Sequence, residues 1–154
     1  MSGRNDAPDV GNARAGNAAR PSSSRHYEVV DGRPHLIGTR CSACGAAFFP
    51  PRHVCPNCLT DESMERWRFG NIGRLYAHTV IHIASPEFNP PYPFGYLVLE
   101  PENVRIPAMI TGVDDRFPLR TGMKMEMVLD KLRDDGAGGE VVTYKFRPLA
   151  DRQS

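Results

Sequence analysis

The hydrophobic positions in the second half of the chain recur in short runs that suit β-strands rather than helices. The clearest run, residues 75–83, is rich in β-branched side chains. Four further runs occupy residues 94–99, 104–110, 123–129 and 141–146. Stretches rich in glycine and proline separate these runs, and no long helix is predicted after residue 67. Five strands in about 80 residues predict a small closed barrel of the OB type, with an SH3-like barrel as the competing topology.

Alternation along residues 75–83 divides this strand into two faces. Leu75, Ala77, Thr79, Ile81 and Ile83 are predicted to face the core, which leaves His78 and His82 on the other face. Four residues of a strand advance about 13 Å, too far for two imidazoles to share one ion. We therefore interpret both histidines as surface or partner-facing residues rather than as a second metal site. Pro107 predicts that the third strand lies at a sheet edge or contains a bulge.

The first part of the chain has a different character. Residues 1–25 contain no large apolar residue beyond Met1 and Val10, and they carry four Arg and two Asp. Such a segment cannot bury enough surface to offset the entropy of ordering it, which predicts a disordered tail. The expected organisation is therefore a tail (1–25), a lead-in with a cysteine-rich ribbon (26–66), a barrel (67–149) and a short second tail (150–154).

Composition and charge exclude several classes of protein. The 19 Lys and Arg are balanced by 18 Asp and Glu, and residues 71–154 carry ten basic and eleven acidic residues. A nucleic-acid binder would show a basic excess, so we expect no nucleic acid as a partner. No apolar run approaches the roughly 20 residues that cross a bilayer, and no apolar segment of a secretory signal follows Met1. We expect a cytoplasmic protein with no membrane contact.

The four cysteines of the chain lie together, as C-x2-C-x10-C-x2-C at Cys41, Cys44, Cys55 and Cys58. Two such pairs facing each other across a hairpin can close a four-thiolate shell around one Zn2+. Rubredoxin-like iron and a redox dithiol are the alternatives for the same spacing. A closed shell leaves no position for substrate, so the predicted zinc is structural. His53 lies between the pairs and is interpreted as a surface or phosphate-facing residue rather than a fifth ligand.

No self-sufficient active site is visible. The chain has no G-x-S-x-G nucleophile elbow, no phosphate-binding Walker loop and no dinucleotide fingerprint. A local basic cluster consists of Arg52, His53, Arg66, Arg68 and Arg74. Arginine suits bidentate contacts with phosphate, so this cluster favours one phosphorylated small molecule over a polymer. A scattered, solvated surface is the alternative interpretation.

Several segments resemble a known family. These are LIGTRCSACG (36–45), FFPPR (48–52), CPNC (55–58), the pattern G-x-x-G-x-L-Y-x-x-T-V (70–80), PPY (90–92) and GM (122–123). Together they resemble the zinc-ribbon/OB-fold family of acyl-CoA-associated proteins, once catalogued as a domain of unknown function, over about residues 35–148. The resemblance implies a mainly β fold: a rubredoxin-like zinc ribbon followed by a five-stranded OB-fold barrel.

The resemblance also implies a role. Members of this family are non-catalytic partners of thiolase-superfamily enzymes, so the chain is expected to be an accessory subunit in a hetero-oligomer. It would hold an acyl-CoA jointly with the partner and carry one structural Zn2+ on the four cysteines. The family supplies no CoA-binding signature to transfer, and charge and position select Arg52, His53, Arg68, Arg74 and Tyr92 as the candidates. A nucleic-acid-binding module and a rubredoxin-like electron carrier are the alternative functions.

Members often begin with a helical arm that carries aromatic and leucine anchors. Here the corresponding stretch is the predicted tail plus residues 27–34. Partner contact is therefore expected on the ribbon and the barrel.

Overall fold

A computed structural model describes residues 20–21, by their backbone, and residues 26–114 and 118–149. Within these residues ten strands form two sheets. The strands are β1 (Arg20–Pro21), β2 (Tyr27–Val30), β3 (Arg33–Cys41), β4 (Ala47–Phe48), β5 (Met64–Arg68), β6 (Ile72–Ile81), β7 (Tyr92–Leu99), β8 (Val104–Met109), β9 (Lys124–Asp134) and β10 (Glu140–Pro148). The single helical element of the described residues is a 3-10 turn at Pro86–Phe88, inside the proline-rich loop.

The first sheet builds the ribbon around β3, which pairs antiparallel with β2, β4 and β5. Gly38 lies at the centre of β3, where the backbone carbonyl of Phe48 and the ring of Phe69 leave no room for a side chain. A Cβ added at Gly38 would lie 2.7 Å from that ring. β3 ends at Cys41, which lies opposite Met64 of β5 and supplies one thiol of the metal cluster.

The second sheet has the connectivity of an OB fold. Antiparallel ladders join β8, β7, β6, β9 and β10 in that order, and a parallel bridge between Ile110 and Phe146 brings the end of β8 back to β10. The curled five-stranded sheet confirms the predicted OB type. Pro107 lies in β8, at the end of the sheet, as its missing N–H predicts. Across the remaining gap, the Tyr144 hydroxyl donates to the Pro107 carbonyl over 3.3 Å.

Two residues of the expected tail are ordered against this sheet. Arg20 and Pro21 pair in parallel with Val141 and Val142 of β10. The rest of the predicted disordered tail (1–25) and the whole of the predicted second tail (150–154) lie outside the described residues.

The ribbon and the barrel share one core. Its buried members are Leu36, Phe69, Leu75, Leu97, Leu99, Val104, Ile106, Ala108, Ile110, Met125, Met127 and Phe146. Leu36 belongs to β3, and its carbonyl accepts the Phe69 N–H over 2.9 Å. At the same junction the Trp67 indole donates to the Glu102 carboxylate over 2.9 Å.

The prediction for the faces of β6 is wrong beyond Leu75. Leu75 is buried, but Ala77 and Thr79 are exposed, and so is Ile83 just after the strand. Every residue from Tyr76 to Val80 is exposed, so this part of the strand has no buried face. It begins at a β-bulge: Leu75 lies opposite Leu97 while Ala77 lies opposite Tyr96, so Tyr76 is an extra residue. One extra residue reverses the alternation, which places His78 rather than Ala77 on the same face as Leu75.

Candidate metal centre and ribbon cavity

The four cysteine thiols converge at one end of the ribbon. All four Sγ atoms lie within 4.8 Å of one another, and no other group of three or more metal-ligating side chains occurs among the residues that the structure describes. The Cys41 and Cys58 sulfurs are 3.9 Å apart, and those of Cys44 and Cys55 are 3.6 Å apart. Sulfurs at about 2.3 Å from a tetrahedral zinc would be about 3.8 Å apart. The donor set and its spacing therefore fit one Zn2+.

The same turn is used twice to aim these thiols. After the first pair, Gly45 has a φ of 77° and donates its N–H to the Cys41 carbonyl; after the second, Leu59 has a φ of 55° and donates to Cys55. Both residues occupy the left-handed region, which glycine adopts without strain and leucine does not. Cys41 and Cys55 are buried, whereas the second thiol of each pair is exposed.

The thiols differ in acidity before any metal binds. The Ser63 hydroxyl lies 3.3 Å from the Cys41 sulfur, and its hydrogen bond is the main cause that lowers the pKa of Cys41 to about 6. The neighbouring thiol of Cys44 is the main cause that raises the pKa of Cys58 to about 12. Four thiolates at this spacing repel one another, so full deprotonation requires the cation that they bind. Ser63 had no sequence signal, because it reaches Cys41 only through the pairing of β5 with β3.

A cavity of about 460 Å3 lies on the ribbon beside β3. Its charged and titratable lining comprises Arg52, His53, Asp61, Glu65 and Arg66. Two of the predicted CoA contacts, Arg52 and His53, are thus brought together, and Arg66 is added to them. Arg66 reaches the cavity because it lies opposite Thr39 in the pairing of β5 with β3. Its membership of the basic cluster was visible in the sequence, but this register was not.

Arg52 is held in place by contacts that do not neutralise its charge. Its backbone N–H donates to the Thr39 hydroxyl over 2.9 Å, and its guanidinium lies 5.5 Å from the centre of the Phe48 ring. No carboxylate pairs with it among the described residues. Its planar donors are therefore available to an anion.

The other basic candidates already have carboxylate partners. Arg68 pairs with Glu28 at 3.4 Å, and Arg66 pairs with the same carboxylate at 2.6 Å. These contacts, with the Arg66 hydrogen bond first among them, hold the pKa of Glu28 below its ordinary value. Arg74 pairs with Glu100 at 3.3 Å. Neither Arg68 nor Arg74 lines the ribbon cavity.

Tyr92 lies in a different place. It lines a second cavity of about 290 Å3 on the barrel, together with Phe88, Asp130 and Lys145. The Lys145 ammonium is bonded there to Asp130 at 3.1 Å and to the Lys131 carbonyl at 2.6 Å. The structure thus separates Tyr92 from Arg52 and His53.

Among the described residues no helix has the length and apolarity needed to cross a membrane.

Comparisons with known proteins agree with this architecture. The profile of the "ChsH2, rubredoxin-like zinc ribbon domain" matches residues 32–65, and that of the "ChsH2, C-terminal OB-fold domain" matches residues 68–130. A "DUF35 domain-containing scaffold protein" of Methanocaldococcus jannaschii is 34% identical over 130 residues, which cover 81% of this chain and 89% of that protein. The "Benzoylsuccinyl-CoA thiolase subunit BbsA" of Thauera aromatica is 37% identical over 121 residues, covering 78% and 81% of the two chains.

A solved structure shows the same fold. The "Ltp2-ChsH2(DUF35) aldolase" aligns with a TM-score of 0.60 at 24% identity, over 74% of this chain and 84% of that one. The ribbon profile and the four clustered cysteines together confirm the predicted structural zinc.

Proposed function

Because the chain belongs to the DUF35 family, whose members join a rubredoxin-like zinc ribbon to an OB-fold domain, we propose that it is a non-catalytic accessory subunit of a thiolase-superfamily enzyme. The observation that carries the proposal is the similarity to BbsA, a thiolase subunit, along most of both chains. The scaffold name of the archaeal relative supports the same role. All four cysteines of the chain lie in the metal cluster, so none is left as a nucleophile.

The ribbon cavity suggests what the subunit contributes. Coenzyme A carries several phosphates at one end of a long, flexible chain, and arginine binds phosphate through paired N–H donors. Arg52 offers such donors beside His53 and Arg66. We place the phosphorylated end of an acyl-CoA in this cavity, with the acyl end reaching a nucleophile on the partner. Holding the flexible cofactor in this way lowers the entropic cost of positioning its thioester.

Co-expression with a thiolase-like subunit from the same genome tests the accessory role. We expect the two chains to co-purify and the enzyme to lose activity or stability when this chain is omitted. A thiolase-like subunit that is fully active and stable alone would refute the role.

Substitution of Arg52 tests the cavity. In the purified complex, Arg52→Gln should raise KM for the acyl-CoA about ten-fold or more, because a charge-assisted hydrogen bond contributes roughly 1.5–3 kcal/mol. The turnover number should change little, because Arg52 lies far from the reacting thioester in this arrangement. Arg133→Gln is the matched control, since Arg133 pairs with Glu87 on the barrel. Equal KM values for the two variants would exclude the ribbon cavity as the CoA site.

A further inference from the structure

The outer edge of β6 has no neighbouring strand beyond Leu75 within residues 26–114 and 118–149. β9 pairs with β6 only from Ile72 to Arg74. The last backbone hydrogen bonds on that side join Leu75 to Met123, over 2.9 Å, and Gly122 to Leu75, over 2.7 Å. From Tyr76 onward the ladder of β6 runs to β7 alone. The bulge therefore marks the point where β6 leaves the closed part of the barrel.

The pairing with β7 shows which backbone groups remain free. Val80 lies opposite Pro93, which has no N–H and whose carbonyl accepts the Ile110 N–H on the far side of β7. Val80 is thus in a non-hydrogen-bonded pair, and its own N–H and C=O point away from β7. Antiparallel ladders alternate, so the N–H and C=O of His78 point the same way. Two donors and two acceptors line the open edge.

The side chains of this edge do nothing to protect it. No Asp, Glu, Lys or Arg occurs from Leu75 to Pro86. His78 and Thr79 are exposed, and Val80 is 48% exposed. Sheet proteins normally guard an exposed edge with charges, proline or a bulge within it, because an unguarded edge pairs with another strand. Here the segment from Ala77 to Ile81 has no Asp, Glu, Lys or Arg, is rich in β-branched residues and contains no proline, and the bulge at Tyr76 lies before it rather than within it.

We propose that this edge is a self-association surface, on which β6 pairs antiparallel with β6 of a second copy of the chain. In the register that uses both outward-facing residues, His78 of each copy lies opposite Val80 of the other, and the two-fold axis passes at Thr79. Each His78–Val80 pair then exchanges two backbone hydrogen bonds, so the four outward groups of each copy all gain partners. The interface is isologous and closes on itself.

A second copy fits this edge better than the chain's own terminus does. Residues 1–19 are dominated by Gly, Ala, Asn and Arg, and they hold no stretch of β-branched residues. A second copy, by contrast, brings residues 75–81 in the matching register, and this segment contains no Asp, Glu, Lys or Arg that would meet its like across the axis. The threonine pair at the axis is a favourable cross-strand contact.

The oligomeric state of the purified, zinc-loaded chain tests the proposal. Sedimentation equilibrium over a wide range of concentration should give a mass that rises to twice the 17.1 kDa of one chain. Val80→Pro removes an outward N–H that makes no bond within the chain, so it should abolish the dimer while zinc content and circular dichroism stay unchanged. Val80→Thr keeps that N–H and the branched shape, and it should still dimerise.

A charge-swap pair identifies the edge itself. The His78→Lys, Val80→Lys double variant and the His78→Asp, Val80→Asp double variant should each be monomeric, because like charges face each other across the axis. Mixed in equal amounts, they should form a heterodimer. A wild-type chain that stays monomeric at every concentration overturns the proposal, as do double variants that dimerise alone or a mixture that fails to pair. If only a thiolase-like subunit binds this edge, the isolated chain stays monomeric and the proposal is equally refuted.

Discussion

Leu36 offers a direct test of how the ribbon and the barrel depend on each other. It lies on β3, the strand that leads to the first metal ligand, yet its side chain is fully buried in the barrel core. Leu36→Ala removes three carbon atoms, worth roughly 2.4 kcal/mol at about 0.8 kcal/mol each, and leaves a cavity that adds to the cost. The Phe69 N–H bond to the Leu36 carbonyl holds the backbone, which limits collapse around the site. We expect a loss of about 3–4 kcal/mol in the free energy of unfolding.

Urea unfolding at saturating zinc measures this loss with two probes. Circular dichroism follows the strands, and fluorescence follows Trp67, the single tryptophan of the chain, which lies at the junction with the barrel. Both midpoints should fall together with an unchanged slope. Val29→Ala, on the exposed side of the neighbouring strand β2, is the control and should cost less than about 0.5 kcal/mol. A loss below about 1 kcal/mol for Leu36→Ala, or separate midpoints for the two probes, would refute the shared core.

Three further predictions concern the ribbon. Cys55→Ser, or a strong chelator, should release the one zinc ion per chain and change Trp67 fluorescence as the ribbon unfolds; metal analysis that finds no stoichiometric zinc in the reduced wild-type protein would contradict the site. Leu59→Gly should stabilise the zinc-loaded protein by about 1 kcal/mol in thermal unfolding, because Leu59 is exposed and strained at a φ of 55°; a lower melting temperature would show that its side chain makes a needed contact. The Arg66 hydrogen bond lowers the pKa of Glu28 in the folded protein below its ordinary value of 4.5. The ion pair therefore stabilises the fold at pH values above 4.5, and this stabilisation is lost as the pH falls through the lower pKa of the folded state. Glu28→Gln should therefore reduce stability at neutral pH by less than about 1 kcal/mol and by nothing in strong acid, whereas a constant difference across pH would exclude the ion pair as the cause.

The metal centre was predictable because its geometry is local. Each C-x-x-C pair makes its own turn, and one residue in the left-handed region follows each turn. That position can be filled by glycine, or by another residue at some cost in strain, so Cys41 and Cys55 could be assigned as ligands from spacing alone. The OB fold was predictable for a related reason. Its five strands are separate runs bounded by turn residues, and Pro107 correctly indicates the edge strand.

The remaining features depend on register, which local patterns do not encode. The alternation of β6 is regular in the sequence, but the extra residue at Tyr76 reverses it, and this bulge is visible only in the pairing of β6 with β7. Likewise, Arg66 joins Arg52 at the cavity only through strand pairing. Leu36 precedes the first cysteine by five positions, and nothing in its surroundings in sequence indicates that it belongs to the barrel core.

The two proposed surfaces depend on different properties of the chain and can therefore be tested separately. The acyl-CoA cavity depends on a charge, that of Arg52, which no carboxylate of the described residues neutralises. The β6 edge depends on the absence of charge from Leu75 to Pro86. Arg52→Gln should therefore leave self-association intact, and Val80→Pro should leave KM for acyl-CoA intact. If both proposals hold, each chain binds one enzyme subunit through surfaces other than this edge and one copy of itself through β6. The complex should then contain two copies of each subunit, and Val80→Pro should remove the contact between the two accessory chains.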